Sequence, residues 1–562
     1  MVDLVEDSLN EDTFFSVARS ILDSMFSVAA DSNRKMTLRA LAVSVLRGCF
    51  DIMDMVKDEH GQEVRGFAEE VLGIWSPLFI DTLRLPFPRR ESIGENGFAQ
   101  EPESWRGFVA LKLQVVKTLA KIKMVFPQLL LPLSTVLFKA TWDELTKLQV
   151  AYKELYADNN GQSRLEDADN LPYSLDFLVL EELDFFQTII RAPPVKEELE
   201  AAIRAQGAVG STSWLVDLIQ LATTYAQVTC EEEELWEIDV NLFLAEETSV
   251  TANYTARTAC GDLLIKLGEW LNQGALEGLL SVTQTLFDTL DGPWKMKEAS
   301  LYLLTQLCND FLDVDKHIPV ELSLAYLKFI DNAIRQEDGH LLRARGYLVA
   351  GVLVQAVDAG ESRFPKVDLL SSTIEAVARE EEEVVKIACI KAIQGYLKGG
   401  VEADMVSIQN ALSDYLASKD LTDLEGSDDT LVTLVETLRL AIQLNFGQAV
   451  SDNTHMIDLL FLLAKHGTSS FQLTMLVTET FEEIVEAMAD EGTESYINVC
   501  RKVLPSLTGA LDVGNMTGDG SLTTVSVLFP SNTRQLLTVY SWFVIYLPFS
   551  STRVVTHFHQ DL

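Results

Sequence analysis

The chain has 562 residues, of which 48% are hydrophobic, so extended intrinsic disorder is excluded for most of it, and the length exceeds what one compact core fills. Asp and Glu number 84 against 44 Lys and Arg, for a net charge of −40. Such a surface repels phosphate backbones and attracts basic proteins over roughly 8–10 Å in cellular salt, which argues against nucleic acid as a direct partner.

In chain order, the first clear helical pattern begins near Lys35, in MTLRALAVSVLRGCFDIM, where apolar residues recur at helical spacing and Arg39 and Arg47 lie off the stripe. A second follows in VRGFAEEVLGIWSPLFIDTL. Residues 1–85 thus read as the first repeats and 86–107, rich in Pro, Gly, Arg and Glu, as a loop. Helical pattern resumes at Phe108 and continues past Pro127 to Tyr156. A polar loop then leads to SLDFLVLEELDFFQTII and, after Ala192-Pro193-Pro194, to further helices. No run alternates with period two over several strands, so the expected class is all-α.

Helices that open on a polar or basic residue recur as TARTACGDLLIKL from Thr255, KMKEASLYLLTQL from Lys295, LLRARGYLVAGVL from Leu341, VVKIACIKAIQGYL from Val384, TLVTLVETLRLAI from Thr430 and TMLVTETFEEIVEAM from Thr474. Their starts are about 40–46 residues apart, the period of two-helix HEAT or armadillo-type repeats. Partner helices begin at Ala275, Pro319 and Pro365, and proline suits a first helical turn. Ala259, Ala299, Ala388 and Ala392 permit close helix approach, while Leu263, Leu303 and Ile393 fill the core. Arg257 and Lys386 are placed to pair with acids of an adjacent repeat. A single repeat cannot bury its apolar face alone, so the expectation is an α-solenoid, with residues 108–530 as its central array.

The six cysteines, at 49, 230, 260, 308, 389 and 500, show no CxxC spacing and read as small buried hydrophobes in a reducing compartment. The N-terminal residues lack a secretory signal pattern. Leu536 to Phe549 is apolar but shorter than the about 20 residues a bilayer requires, so no membrane insertion is expected. Walker, GxGxxG, HExxH and GxSxG motifs are absent from the sequence, and the seven histidines show no metal-ligand spacing. His557 and His559 flank Phe558 and offer only an adventitious metal contact. The chain therefore reads as neither an enzyme nor a cofactor- or metal-binding protein. Nucleic-acid recognition needs clustered Lys and Arg, which the sequence does not supply.

Two acidic runs are the candidate binding elements. The longer comprises Glu231, Glu232, Glu233, Glu234, Glu237, Asp239, Glu246 and Glu247, with Trp236 and Phe243 as aromatic anchors; it is expected to be an exposed loop before the Thr255 helix. The shorter comprises Glu380, Glu381, Glu382 and Glu383, in a turn where acids also favour the following helix N-terminus.

The segment from Leu235 to Leu264 resembles the importin-β (karyopherin-β) superfamily, and within it importin-9 and its fungal relatives. Trp236, Phe243, Glu246, Glu247, Tyr254, Thr255, Arg257, Ala259, Asp262, Leu263 and Leu264 carry the resemblance. PWKMKEASLYLL adds Trp294, Lys295, Glu298 and Ala299; VVKIACIKAIQGY adds Ala388, Ala392, Ile393, Gly395 and Tyr396. Weaker similarity runs from about Arg34 to Leu528.

The resemblance implies a HEAT superhelix that shuttles between cytoplasm and nucleus through nuclear pore proteins, carries basic protein cargo such as histones or ribosomal proteins, and releases it to the GTPase Ran. It also implies that the family's N-terminal region, its main Ran-binding part, lies outside this sequence, as do its C-terminal repeats. Residues 531–562 no longer follow the family and read as an atypical tail, of the kind expected from a truncated or mis-spliced gene. A HEAT-repeat scaffold or adaptor without transport activity is the alternative.

Overall fold

The computed structural model describes residues 14–510, apart from 59, 89–102, 160–173, 248–253, 290–291, 338, 359, 361, 420–423, 425 and 468–469. Helix follows helix, and no strand occurs among the described residues. The chain divides into two units, Met1–Val401 and Glu402–Leu562. The atypical tail, His557 and His559 lie outside the described residues.

The first unit opens with α1 (Phe14–Ala30), α2 (Met36–Val56), α3 (Gly61–Arg84), α4 (Glu103–Val125) and α5 (Ser134–Tyr152). Helix α1 precedes the first helix expected from sequence. Its large apolar residues Ile21, Leu22, Met25 and Phe26 lie at helical spacing, and Phe26 packs edge to face on Trp75 with centroids 5.3 Å apart. Helix α4 starts at Glu103, inside the stretch read as loop, and Trp105 is buried with its indole N–H donating to Pro88 O at 2.9 Å. Next come α6 (Leu175–Ile190), α7 (Pro193–Gln206), α8 (Ser213–Tyr225), α9 (Cys230–Ile238) and α10 (Val240–Glu246). The unit closes with α11 (Ala256–Leu271), α12 (Gln273–Asp288), α13 (Trp294–Asp313), α14 (Val320–Ile334), α15 (His340–Ala356), α16 (Lys366–Arg379) and α17 (Glu383–Lys398).

These helices form a two-layer stack. One row runs α2, α4, α6, α11, α13, α15, α17, each helix packed on the next; α3, α5, α8, α12 and α14 form the other row, and α16 packs on α17. The expected HEAT-type solenoid is therefore present. The alanines chosen for close approach, Ala259, Ala299, Ala388 and Ala392, are all buried, as are Leu263, Leu303 and Ile393. Each such Leu or Ile contributes about 1.5–3 kcal/mol relative to exposure.

The tightest approach is between α15 and α17. A Cβ on Gly395 would lie 2.5 Å from Gly351 O, and one on Gly351 would lie 2.7 Å from Ala392 O. Backbone meets backbone there, so glycine is required for space and not for turn geometry. Pro319 and Pro365 stand at the caps of α14 and α16, where the missing N–H costs nothing.

A buried cluster bridges α4, α5 and α6. Lys112 Nζ donates to Glu144 at 2.7 Å and to Leu83 O at 3.0 Å. Glu182, fully buried beside them, has no hydrogen-bond partner on either carboxylate oxygen. Burial, and then the neighbouring Glu144 charge, hold its carboxyl well above the ordinary range, with Lys112 opposing.

The second unit contains α18 (Met405–Ala417), α19 (Asp428–Leu444), α20 (Phe446–Ala449), α21 (Met456–His466), α22 (Phe471–Glu491) and α23 (Thr493–Ala510). Asp404 caps α18 by accepting from Ser407 N at 3.1 Å, and Asp428 and Asp429 occupy the first turn of α19, where the helix dipole favours acids. Helix α19 packs on α18, α21 and α22, and Arg439 pairs with Glu479 and Glu483.

Among the described residues no helix is long and apolar enough to cross a membrane, and no group of three or more His, Cys, Asp or Glu is placed to hold a metal ion. All six cysteines are free; Cys230 is half-buried and the other five are buried.

Candidate functional site

The long acidic run is not a loop. Local sequence explains why: Thr229 precedes four glutamates, and Glu232 stands three residues after it, the spacing of a capping box. Glu232 N donates to Thr229 Oγ1 at 3.1 Å, and Thr229 N donates to Glu232 Oε2 at 2.8 Å. Glu231, Glu232 and Glu233 thus fill the first turn of α9, where acids are favoured. Asp239 ends α9 and caps α10, accepting from Asn241 N at 2.9 Å. The expectation of an exposed loop is corrected to a pair of short helices, because capping and aromatic packing outweigh the repulsion among the carboxylates.

Trp236 and Phe243 join the two helices edge to face, with centroids 5.5 Å apart, and both are buried. The Arg257 guanidinium lies 5.8 Å from the Trp236 ring. The aromatics therefore anchor the pair to the scaffold and are not available to a partner.

The acids meet bases from the first two turns of successive row helices. Glu233 pairs with Lys295, the second residue of α13, at 2.7 Å. Glu237 lies 3.5 Å from His340, the first residue of α15. Glu247 receives two bonds from Arg345 of α15, at 2.6 and 2.9 Å. Arg345 also donates to Glu298 of α13 at 2.9 Å, and Glu298 takes two bonds from Arg257 of α11, at 2.7 and 2.9 Å. Tyr302 lies between the arginines, 3.9 Å from Arg257 and 5.3 Å from Arg345. The result is a buried, charge-balanced chain, Glu247–Arg345–Glu298–Arg257, which clasps α10 to three consecutive repeats.

Burial alone would raise the Glu298 carboxyl, but Arg257 and Arg345 outweigh it and hold it below the ordinary carboxylate value. Glu232 moves the other way: burial raises it, against the Arg257 charge and the Thr229 hydrogen bonds. Glu246 is buried within α10. What remains at the solvent side of the longer run is Glu231, Glu234 and Glu237.

The shorter run keeps its expected place in a turn. Glu380 closes α16 and pairs with Arg343 at 3.2 Å, both side chains largely buried. Glu381 and Glu382 are exposed, and Glu382 and Glu383 open α17. Helix α10, which carries Glu246 of the longer run, packs against α17, which the shorter run opens.

Sequence reasoning anticipated that Arg257 pairs with an acid of the next repeat, and Glu298 is that acid. It missed Arg345, which shares Glu298 and holds Glu247. The available signal was an arginine in an otherwise apolar helix, LLRARGYLVAGVL, at a position matching Glu298 in the preceding repeat helix.

This clasp lies wholly within residues 209–468, which match the family model of importin-9 central HEAT repeats. Over that span the chain is similar to importin-9. Importin subunit beta-5 of Schizosaccharomyces pombe is 24% identical over 531 residues, covering 91% of this chain and 48% of the relative. Importin subunit beta-5 of Saccharomyces cerevisiae is 23% identical over 309 residues, covering 53% of this chain and 30% of the relative. The chain spans about half the length of the first of these relatives and less of the second. Among solved structures, the exportin Cse1 in its cargo-free, cytoplasmic state is similar, with a TM-score of 0.56 at 14% identity, covering 94% of this chain and 52% of that one. At that identity the likeness to the exportin shows the fold alone.

Proposed function

We propose that this chain acts as part of an importin-β-type nuclear transport receptor that holds basic protein cargo, histones or ribosomal proteins, and yields it to Ran-GTP. The single observation that carries the reading is the importin-9-type repeat match, combined with a net charge of −40 that complements a basic cargo. In this reading the work is multivalent electrostatic binding with no bond chemistry. Glu231, Glu234, Glu237, Glu381 and Glu382 are the exposed members of the two acidic runs and the cargo contacts. Glu232, Glu233, Glu246 and Glu247 serve the fold. The protein shuttles between cytoplasm and nucleus past nuclear pore proteins.

The test is capture of core histones by the full chain across a salt series. Binding that falls steeply with salt supports the reading, and equal capture at low and high salt refutes it. The involvement of so many acids in intramolecular pairs favours a second reading, a HEAT-repeat scaffold or adaptor without transport activity. Competition between Ran-GTP and captured histone, measured on a longer chain that includes the family's N-terminal region, separates the two: displacement supports a receptor, and indifference a scaffold.

A further inference from the structure

Held from beneath by Trp236, Phe243 and the buried arginine chain, the clasp turns an apolar ridge to solvent. Ile238 is 84% exposed, and Leu235, one turn earlier on the same face of α9, is 42% exposed. Leu242, in the adjoining α10, is 38% exposed. Three large aliphatic residues are exposed within eight positions, on short helices whose buried apolar residues are Trp236, Phe243 and Leu244. Around them lie the exposed acids Glu231, Glu234 and Glu237.

We infer that this ridge is a docking surface for a basic amphipathic helix, whose apolar stripe covers Leu235, Ile238 and Leu242 and whose Lys or Arg residues meet the surrounding glutamates. The inference rests on the reading of a basic cargo and narrows it: a basic segment with an apolar face is preferred over one that is basic throughout. Charge complementarity selects this occupant. A second copy of this chain would bring the same glutamates against these, which like-charge repulsion disfavours. The ridge is also preorganised. Its helices are capped by Thr229 and Asp239 and tied by Lys295 and Arg345, so little ordering entropy is lost when a partner binds. Binding proceeds by packing of one helix on another, with apolar anchors at helical spacing giving specificity and the acids giving attraction at a distance.

The experiment compares two labelled peptides of about 18 residues and equal charge by fluorescence anisotropy: a leucine–lysine peptide patterned as an amphipathic helix, and a glycine–lysine peptide. The full chain is tested as wild type, as Leu235→Ser/Ile238→Ser/Leu242→Ser, and as Glu231→Gln/Glu234→Gln/Glu237→Gln. The wild type is expected to bind the leucine–lysine peptide roughly tenfold more tightly than the glycine–lysine peptide. The serine variant abolishes that preference while retaining the salt-dependent binding common to both peptides, and the glutamine variant weakens both. Unchanged circular dichroism and melting identify the effects as local, since all six substituted side chains are at the surface.

Equal affinity of the two peptides for wild type overturns the ridge but leaves the basic-cargo reading standing; absence of binding to either overturns both. Retained preference in the serine variant also overturns the ridge. Sedimentation that shows a wild-type dimer lost in the serine variant would reassign the surface to a second copy.

Discussion

Replacing Arg345 with methionine is the sharpest perturbation of the clasp. The wild-type network carries two glutamates and two arginines, all with side chains at most 6% exposed. Methionine keeps much of the arginine's apolar stem but removes three charge-assisted bonds, two to Glu247 and one to Glu298. It leaves one uncompensated negative charge out of water. Two unit charges about 4 Å apart interact by about 4 kcal/mol at an effective dielectric of 20. Breaking a buried pair by removing one partner costs about 3–5 kcal/mol, because the survivor stays desolvated.

The loss should fall first on α10, whose charge link to α15 disappears. Hydrogen-exchange mass spectrometry is the suitable assay, since stacked repeats open locally and a single global unfolding energy is not defined for them. Amides of residues 230–247 and 340–356 are expected to lose protection by about 3 kcal/mol or more, while those of the second unit do not change. Adding Glu247→Gln restores charge balance around Arg257 and Glu298, and should recover about half of the loss. A single variant that loses less than about 1 kcal/mol, or a double variant that loses the sum of its parts, would refute the claim that charge balance holds the clasp.

Two further outcomes follow from the packing. Gly395→Ala forces α15 and α17 apart where a new Cβ would meet the Gly351 carbonyl, and should cost about 1–3 kcal/mol, read as a lowered melting temperature and faster exchange in residues 340–398; an unchanged melting temperature would contradict the close approach. Glu182→Gln tests the buried cluster through its pH dependence. Because its folded-state pKa is raised, Glu182 holds its proton in the folded protein at pH values where the unfolded chain has lost it, so its contribution to stability falls as pH rises above the ordinary carboxylate value. The glutamine variant lacks this term: relative to wild type it should gain with rising pH, by up to about 1.4 kcal/mol per pH unit, and show no gain in acid. Melting temperatures of the two proteins that run parallel from about pH 4 to about pH 8 would contradict it.

Much of the fold was legible because it rests on local periodicity. The repeat helices from Thr255, Lys295, Leu341, Val384, Thr430 and Thr474 all form, since apolar spacing at 3.6 residues and small residues at contact points are properties of the chain itself. The start of α4 at Glu103 was not legible, because the Trp105 indole finds the Pro88 carbonyl only in the folded chain. The candidate site divides in the same way. The Thr229–Glu232 capping box is legible from spacing alone, but the packing of Trp236 on Phe243 that joins the two short helices is not.

Composition and pattern by themselves determined that this chain is helical, repetitive and acidic, because hydrophobic spacing and charge count need no third dimension. Which acids are available to a partner was decided only by tertiary structure. Glu231 and Glu247 are both glutamates of one acidic run, but one faces water and the other ends against Arg345, 98 positions away in sequence. A carboxylate's role depends on the charge it meets and the water it loses, and both are set by residues brought near only when the repeats stack.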